Sequence, residues 1–249
     1  MTECAAQPYV IIVVVLGGRG WQLRSNLRQG FEQVRGVLTG DVLQPGTRKG
    51  GVITLPRPGS DQLFFVYTGA AGRLGGLDPR AFFKRTRLFE RNVALLRDEH
   101  KAYYQRGLSS SVESFEALLN WHHEYRSGLP HARRVFCLGT SMGAYAAIVF
   151  GYLMKAEQVW ALGLPTSRLD DIQAIPSDRD DLAALLDRPN GVTTYHLHYS
   201  AGCVPDAKAV KRIAACEGVR LHPHPGHHHR VLPTMLERGA LETLLPNPQ

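Results

Sequence analysis

Gly139-Thr140-Ser141-Met142-Gly143 is the stretch of this chain best suited to chemistry, because it sets a serine hydroxyl between an apolar run and a helix-forming one. Residues 134–138, Arg-Val-Phe-Cys-Leu, read as a buried strand, and residues 144–154 are rich in small and helix-favouring types. A strand–G-x-S-x-G–helix unit pushes its serine out at a sharp turn. The helix starting behind it offers backbone N–H groups to a developing negative charge. The two glycines fit because a side chain at either position would collide with the opposing strand or helix. The chemistry expected of such a serine is nucleophilic attack on a carbonyl carbon.

A serine at its free pKa is a weak nucleophile, so it needs a base within hydrogen-bond reach and a third group to orient that base. Both types follow later in the chain. The acid candidate is Asp206, between a strand-like run and the helix-like segment 207–216, with Asp170 and Asp171 as reserves. The base candidates are consecutive: His229 is preferred, with His228 and His227 in reserve, in a loop-like stretch that can swing over Ser141. Neighbouring histidines cannot converge on one ion as an i, i+4 pair on a helix can, so no metal is expected. No cofactor is expected either. His196 and His198 fall within a strand and read as core or edge residues. For an oxyanion, the N–H of Met142 supplies one donor, and the small-residue turn 68–73, Thr-Gly-Ala-Ala-Gly-Arg, supplies a second through Ala70, with Ala71 next. That turn lacks the full G-x-G-x-x-G of a dinucleotide site.

The elements that must position these groups alternate. Strands are predicted at 9–16, 52–55, 62–67, 92–97, 135–138, 158–162, 193–199 and 219–222, most of them apolar without alternation, as in strands covered on both faces. Helices are predicted at 21–38, at 111–125 with Ser110 and Glu113 as a capping box, at 207–216, and from Arg230 to about Leu245. This order calls for an α/β fold, a mostly parallel eight-stranded sheet with helices on both faces. Residues 1–249 are expected to form one domain, with 164–190 long enough to fold over the site as a lid and a short helix near 180–186.

The net charge of +7 comes from scattered residues without a Lys/Arg block or interleaved aromatics, which argues against a nucleic-acid groove. The stretch 80–106 is locally basic and reads either as a solvated helix face or as a surface favouring anions. Cys4, Cys137, Cys203 and Cys216 have no paired spacing, so reduced thiols in a cytoplasm are expected. The apolar run 9–16 is too short to span a bilayer as a helix and is preceded by Glu3 with no Lys or Arg.

The Gly69–Gly72 turn, the serine turn, Asp206 and the histidine cluster, in that order, resemble the α/β-hydrolase superfamily. The chain is also similar to a less characterised bacterial branch of it, through Arg97-Asp98, Tyr104-Gln105-Arg106-Gly107-Leu108 and His229-Arg230-Val231. The resemblance implies a Ser141, Asp206, His229 triad with backbone oxyanion donors. It departs in the first sixty residues, where the family opens with a β-hairpin and this chain reads as helical over 21–38. The expected function is a cofactor-independent serine hydrolase acting on a small-molecule or carrier-bound ester or thioester. An acyltransferase using the same triad is the alternative, and a non-catalytic binding subunit of the same fold is the third reading. Sequence does not define the oligomeric state.

Overall fold

Residues 62–67, Gln-Leu-Phe-Phe-Val-Tyr, show no polar alternation because the strand they form is covered on both faces, and every one of them is buried. The computed structural model describes residues 51–165 and 182–247, all within one compact unit, Leu43–Gln249. The expected strand at 9–16, the helix at 21–38, most of the lid segment, and Asp170 and Asp171 lie outside the described residues. So does part of the single-domain expectation for 1–249.

Seven of the expected strands form one sheet: β1 (Val52–Leu55), β2 (Gln62–Tyr67), β3 (Asn92–Leu96), β4 (Arg134–Thr140), β5 (Gln158–Leu162), β6 (Thr194–Ser200) and β7 (Val219–His224). The sheet therefore has seven strands among the described residues rather than eight, in the order β1-β3-β2-β4-β5-β6-β7. Only β1 runs antiparallel to its neighbour; all other pairs are parallel. The helices are α1 (Pro79–Arg85), α2 (Phe115–Ser127), α3 (Met142–Leu153), α4 (Leu182–Leu186), α5 (Val204–Ile213) and α6 (Leu232–Glu237). Parallel neighbours need crossovers, and these helices supply them.

One sheet face carries Leu63, Phe65, Tyr67, Cys137, Val159 and Ala161 against residues of α2 and α3 in the main core. On α3, Met142 through Gly151 are all buried. The opposite face stacks Phe64 on Phe136 at 4.7 Å and continues through Trp160 to His196 at 5.5 Å. There β6 and β7 place four histidines in a ladder: His196 Nδ1 is 3.1 Å from His222 Nε2, and His198 Nδ1 is 3.1 Å from His224 Nε2. His196 and His198 are thus strand residues packed against other rings.

Four expectations are corrected. Helix α2 starts at Phe115, not Ser111, because Ser109 and Val112 close a turn on each other. Its cap is Ser114, whose Oγ accepts the Ala117 N–H at 3.0 Å, so Ser110 and Glu113 form no capping box. Helix α5 starts earlier than expected, at Val204, because Pro205 is tolerated in a first turn. The last helix stops at Glu237, where the chain turns through Arg238-Gly239. The basic stretch 80–106 is not one solvated helix: it spans α1, β3 and turns, and Arg91 is 1% exposed with its guanidinium 4.9 Å above the Phe64 ring.

Candidate active site

Ser141 stands between β4 and α3 with φ 53° and ψ −123°, a conformation that costs a non-glycine residue energy and persists only where its surroundings impose it. Those surroundings are close. The Ser141 N–H donates to Leu162 O at 2.9 Å, and Ser141 O accepts from Ala144 N–H at 2.8 Å. A Cβ on Gly139 would collide with the Gly143 carbonyl, and one on Gly143 would collide with Tyr67 O. Both glycines are required by close backbone approach, and the turn between them projects the serine from the carboxyl end of β4.

Asp206 lies in the first turn of α5 and is 2% exposed. The N-terminal end of a helix favours a carboxylate there. His229 sits in the loop after β7, whose far end is anchored by buried Val231, Leu232 and Met235. Backbone bonds join the loops after β6 and β7: Ala201 N–H donates to His224 O at 2.8 Å, and Gly202 N–H donates to Gly226 O at 2.9 Å. Acid and base are therefore held in one frame. His229 Nδ1 lies 2.8 Å from Asp206 Oδ1 and 3.0 Å from Oδ2, and His229 Nε2 lies 2.8 Å from Ser141 Oγ. The network assigns the tautomer: Nδ1–H donates to the carboxylate, and Nε2 is left to accept the serine hydroxyl.

Of the three consecutive histidines, His229 alone is hydrogen-bonded to Ser141 and Asp206 among the described residues. His227 and His228 are exposed, with the His227 ring packed at Gly202. Among the described residues no group of three or more His, Cys, Asp or Glu is arranged to hold a metal ion.

The turn after β2 stands against the serine: a Cβ on Gly69 would lie 3.5 Å from Ser141 Cβ. Gly69 N–H and Gly72 N–H are engaged within the turn, to Arg73 O and Gly69 O, and Ala70 is exposed. Met142 opens α3, where a first-turn N–H has no partner inside the helix. The Met142 N–H follows the serine directly in the chain, and the turn that carries Ala70 stands against Ser141. Tyr67, Phe82, Phe83, Tyr104 and Tyr145 are core residues with 0% exposure, and Tyr103 is half-buried.

Two supports were missed at the sequence level. Thr140, just before the serine, accepts from Gly75 N–H at 3.1 Å and donates to Arg73 O at 3.4 Å through its hydroxyl. Asp98 accepts three backbone N–H groups, from His100 (2.8 Å), Ala102 (2.7 Å) and Tyr104 (2.9 Å). Burial pushes its carboxyl above the usual range while those N–H groups pull it back. The clamp holds Tyr104 at φ 64°, and the Tyr104 hydroxyl reaches Thr68 O (2.9 Å) and Leu96 O (3.0 Å) at the start of the Gly69 turn. The Arg-Asp…Tyr-x-x-Gly-Leu stretch was visible in sequence, but its role as this clamp was not.

No protein-family model matches the chain, and no curated protein matches it. Solved structures do, at low identity. Fluorophosphonate-binding serine hydrolase F (FphF) of Staphylococcus aureus, with substrate bound, is 14% identical with a TM-score of 0.51, covering 83% of this chain and 89% of its own. Est1E of Butyrivibrio proteoclasticus with ferulic acid bound is 13% identical with a TM-score of 0.52, covering 78% and 92%. The capsule O-acetyltransferase of Neisseria meningitidis serogroup A is 10% identical with a TM-score of 0.53, covering 84% and 99%. Likeness of this kind identifies architecture, and with the sheet order and the serine turn it shows that the chain has the α/β-hydrolase fold.

Proposed function

We propose that the chain is a serine hydrolase that cleaves an ester or thioester through an acyl-enzyme. The observation that carries the reading is the hydrogen-bonded series Ser141 Oγ, His229 Nε2 and Nδ1, Asp206, on a serine held at positive φ. Ser141 Oγ attacks the carbonyl carbon as His229 Nε2 takes its proton. The C–O or C–S bond then breaks, and His229 returns the proton to the leaving group. Water, deprotonated by the same nitrogen, releases the acid and restores the serine. Asp206 holds the imidazolium, and the Met142 and Ala70 N–H groups face the oxyanion, each donor contributing about 3 kcal/mol to the transition state.

The substrate class, small-molecule or carrier-bound acyl compounds, and a cytoplasmic setting with reduced thiols belong to this proposal. So does a single hydrolase domain over residues 1–249. A second reading passes the acyl group to an alcohol, amine or carrier thiol instead of water. It is favoured by the name of one fold neighbour, an O-acetyltransferase, and product analysis with such acceptors separates the two.

The test is Ser141→Ala. Turnover of p-nitrophenyl acetate and labelling by a fluorophosphonate probe are expected to vanish while the melting temperature stays within a few degrees. Undiminished hydrolysis in that variant would remove the proposal.

A further inference from the structure

Three arginines surround the turn after β2, and among the described residues none of them forms an ion pair. Arg73 lies on the turn, and its Nη1 donates to Gly76 O at 3.3 Å. Arg97, the residue after β3, lies across it: a Cβ on Gly72, whose φ is +68°, would stand 2.9 Å from Arg97 Nε and 3.0 Å from Cζ. A side chain at Gly72 would be strained at that φ and would displace the guanidinium. Arg230 follows His229, and its Cδ and Nη1 come to 3.9 Å from a Cβ placed on Gly76. All three side chains are exposed.

Three carboxylates among the described residues are engaged elsewhere. Asp78 caps α1 through the Arg80 N–H, Asp98 is saturated by backbone N–H groups, and Asp206 receives His229. The arginine ion pairs among the described residues, Arg85–Glu242, Arg87–Glu90 and Arg134–Glu157, involve other arginines, and exposed Glu99 pairs with none of the three. Like charges gathered at the edge of a site repel each other and attract an incoming anion. A guanidinium fork matches a carboxylate or phosphate in two parallel hydrogen bonds.

We infer that Arg73, Arg97 and Arg230 receive an anionic group of the substrate, so that Ser141 acts on esters or thioesters bearing a carboxylate or phosphate. The inference rests on the reading of Ser141 as nucleophile. A carboxylate arrives on the acyl chain, and a phosphate arrives on the leaving group.

The experiment compares p-nitrophenyl acetate, mono-p-nitrophenyl glutarate and acetyl-coenzyme A as substrates of the wild type, of Arg97→Gln/Arg230→Gln, and of Arg97→Lys. One anionic substrate is expected to lose on the order of tenfold in kcat/KM relative to the neutral ester in the double variant, mostly through KM. Arg97→Lys keeps most of the preference, and added salt weakens it. Whether glutarate or coenzyme A carries the effect distinguishes carboxylate from phosphate. Equal losses on neutral and anionic substrates overturn the inference and leave the hydrolase reading standing. Calorimetry of glutarate and coenzyme A on Ser141→Ala is independent of turnover. Binding that disappears when Arg97→Gln/Arg230→Gln is added supports the anion site even if no ester is cleaved, in which case it is the serine reading that falls. No binding and no preference overturn the inference outright.

Discussion

The hydroxyl of Thr140 accepts the Gly75 N–H at 3.1 Å, which ties the residue before the candidate nucleophile to the loop that carries Ala70. The same hydroxyl donates to Arg73 O at 3.4 Å. One buried side chain therefore fixes the spacing between the Ser141 turn and the 69–76 loop.

Thr140→Val keeps the shape and removes both bonds, leaving the half-buried Gly75 N–H without its acceptor while Arg73 O keeps only the Gly69 N–H. Stability is expected to fall by about 1–3 kcal/mol, and kcat by about tenfold or more with KM little changed, because Thr140 positions a loop and touches no substrate. Thr140→Ser restores kcat. Steady-state kinetics on the three proteins check it, and a Val variant with wild-type kcat would deny Thr140 this role.

Asp206→Asn leaves the ring packed but offers an amide where His229 needs an acceptor for Nδ1–H. The imidazole then takes the wrong tautomer and Nε2 no longer accepts from Ser141 Oγ. An expected drop in kcat of about 10⁴-fold follows, with fluorophosphonate labelling slowed in parallel. Activity close to wild type would place the orienting group elsewhere.

Gly143→Ala tests the elbow as architecture. The added methyl meets Tyr67 O and, at 2.7 Å, Thr68 O, both backbone atoms that cannot step aside. We expect a loss of about 3 kcal/mol or more, seen as a lowered melting temperature or as insoluble protein. A variant as stable as the wild type contradicts the close packing of α3 on β2.

His122 sets an acid limit on stability. It is fully buried, with Nε2 2.7 Å from the Tyr67 hydroxyl and Nδ1 2.6 Å from Leu118 O. Burial lowers its pKa to about 3. A folded-state value below the unfolded one means that the unfolded chain binds the proton first. The contribution is complete above about pH 6.5 and is lost as pH falls toward 3. His122 alone then adds a slope of about 1.4 kcal/mol per pH unit. The ladder adds to it in the same direction, since burial lowers His198 to about 2 and His196 to about 4. Denaturant melts at pH 6.5 and 5.0, where most carboxylates are still ionised, should show lower stability at the lower pH. The difference should shrink in His122→Gln, and a flat profile in the wild type rules the account out.

Local signals explain what could be read from the chain in advance. Uninterrupted apolar runs such as 62–67 and 158–162 announce strands covered on both faces, and glycines two positions either side of a serine announce a tight turn. Boundaries were less legible. Ser110 with Glu113 and Ser114 with Ala117 both look like helix starts, and the choice was made by a turn closing on Val112 that no propensity describes. Three consecutive histidines are equivalent in sequence; which one faces Ser141 depends on how Val231 and Leu232 are buried. The roles of Thr140 and Asp98 were not legible because their work is done on loops distant in sequence, Thr140 on Gly75 and Asp98 through Tyr104 on Thr68.

Helix α3 is buried all round from Met142 through Gly151. A rod gripped all round cannot slide or tilt to suit a differently shaped molecule, so the hydroxyl at its head is a fixed post. Among the described residues, the surface segments on either side of that post lie at 69–76 and 225–230, and adaptation to new compounds is expected there. A library aimed at altered selectivity belongs in those two stretches, with the helix left untouched.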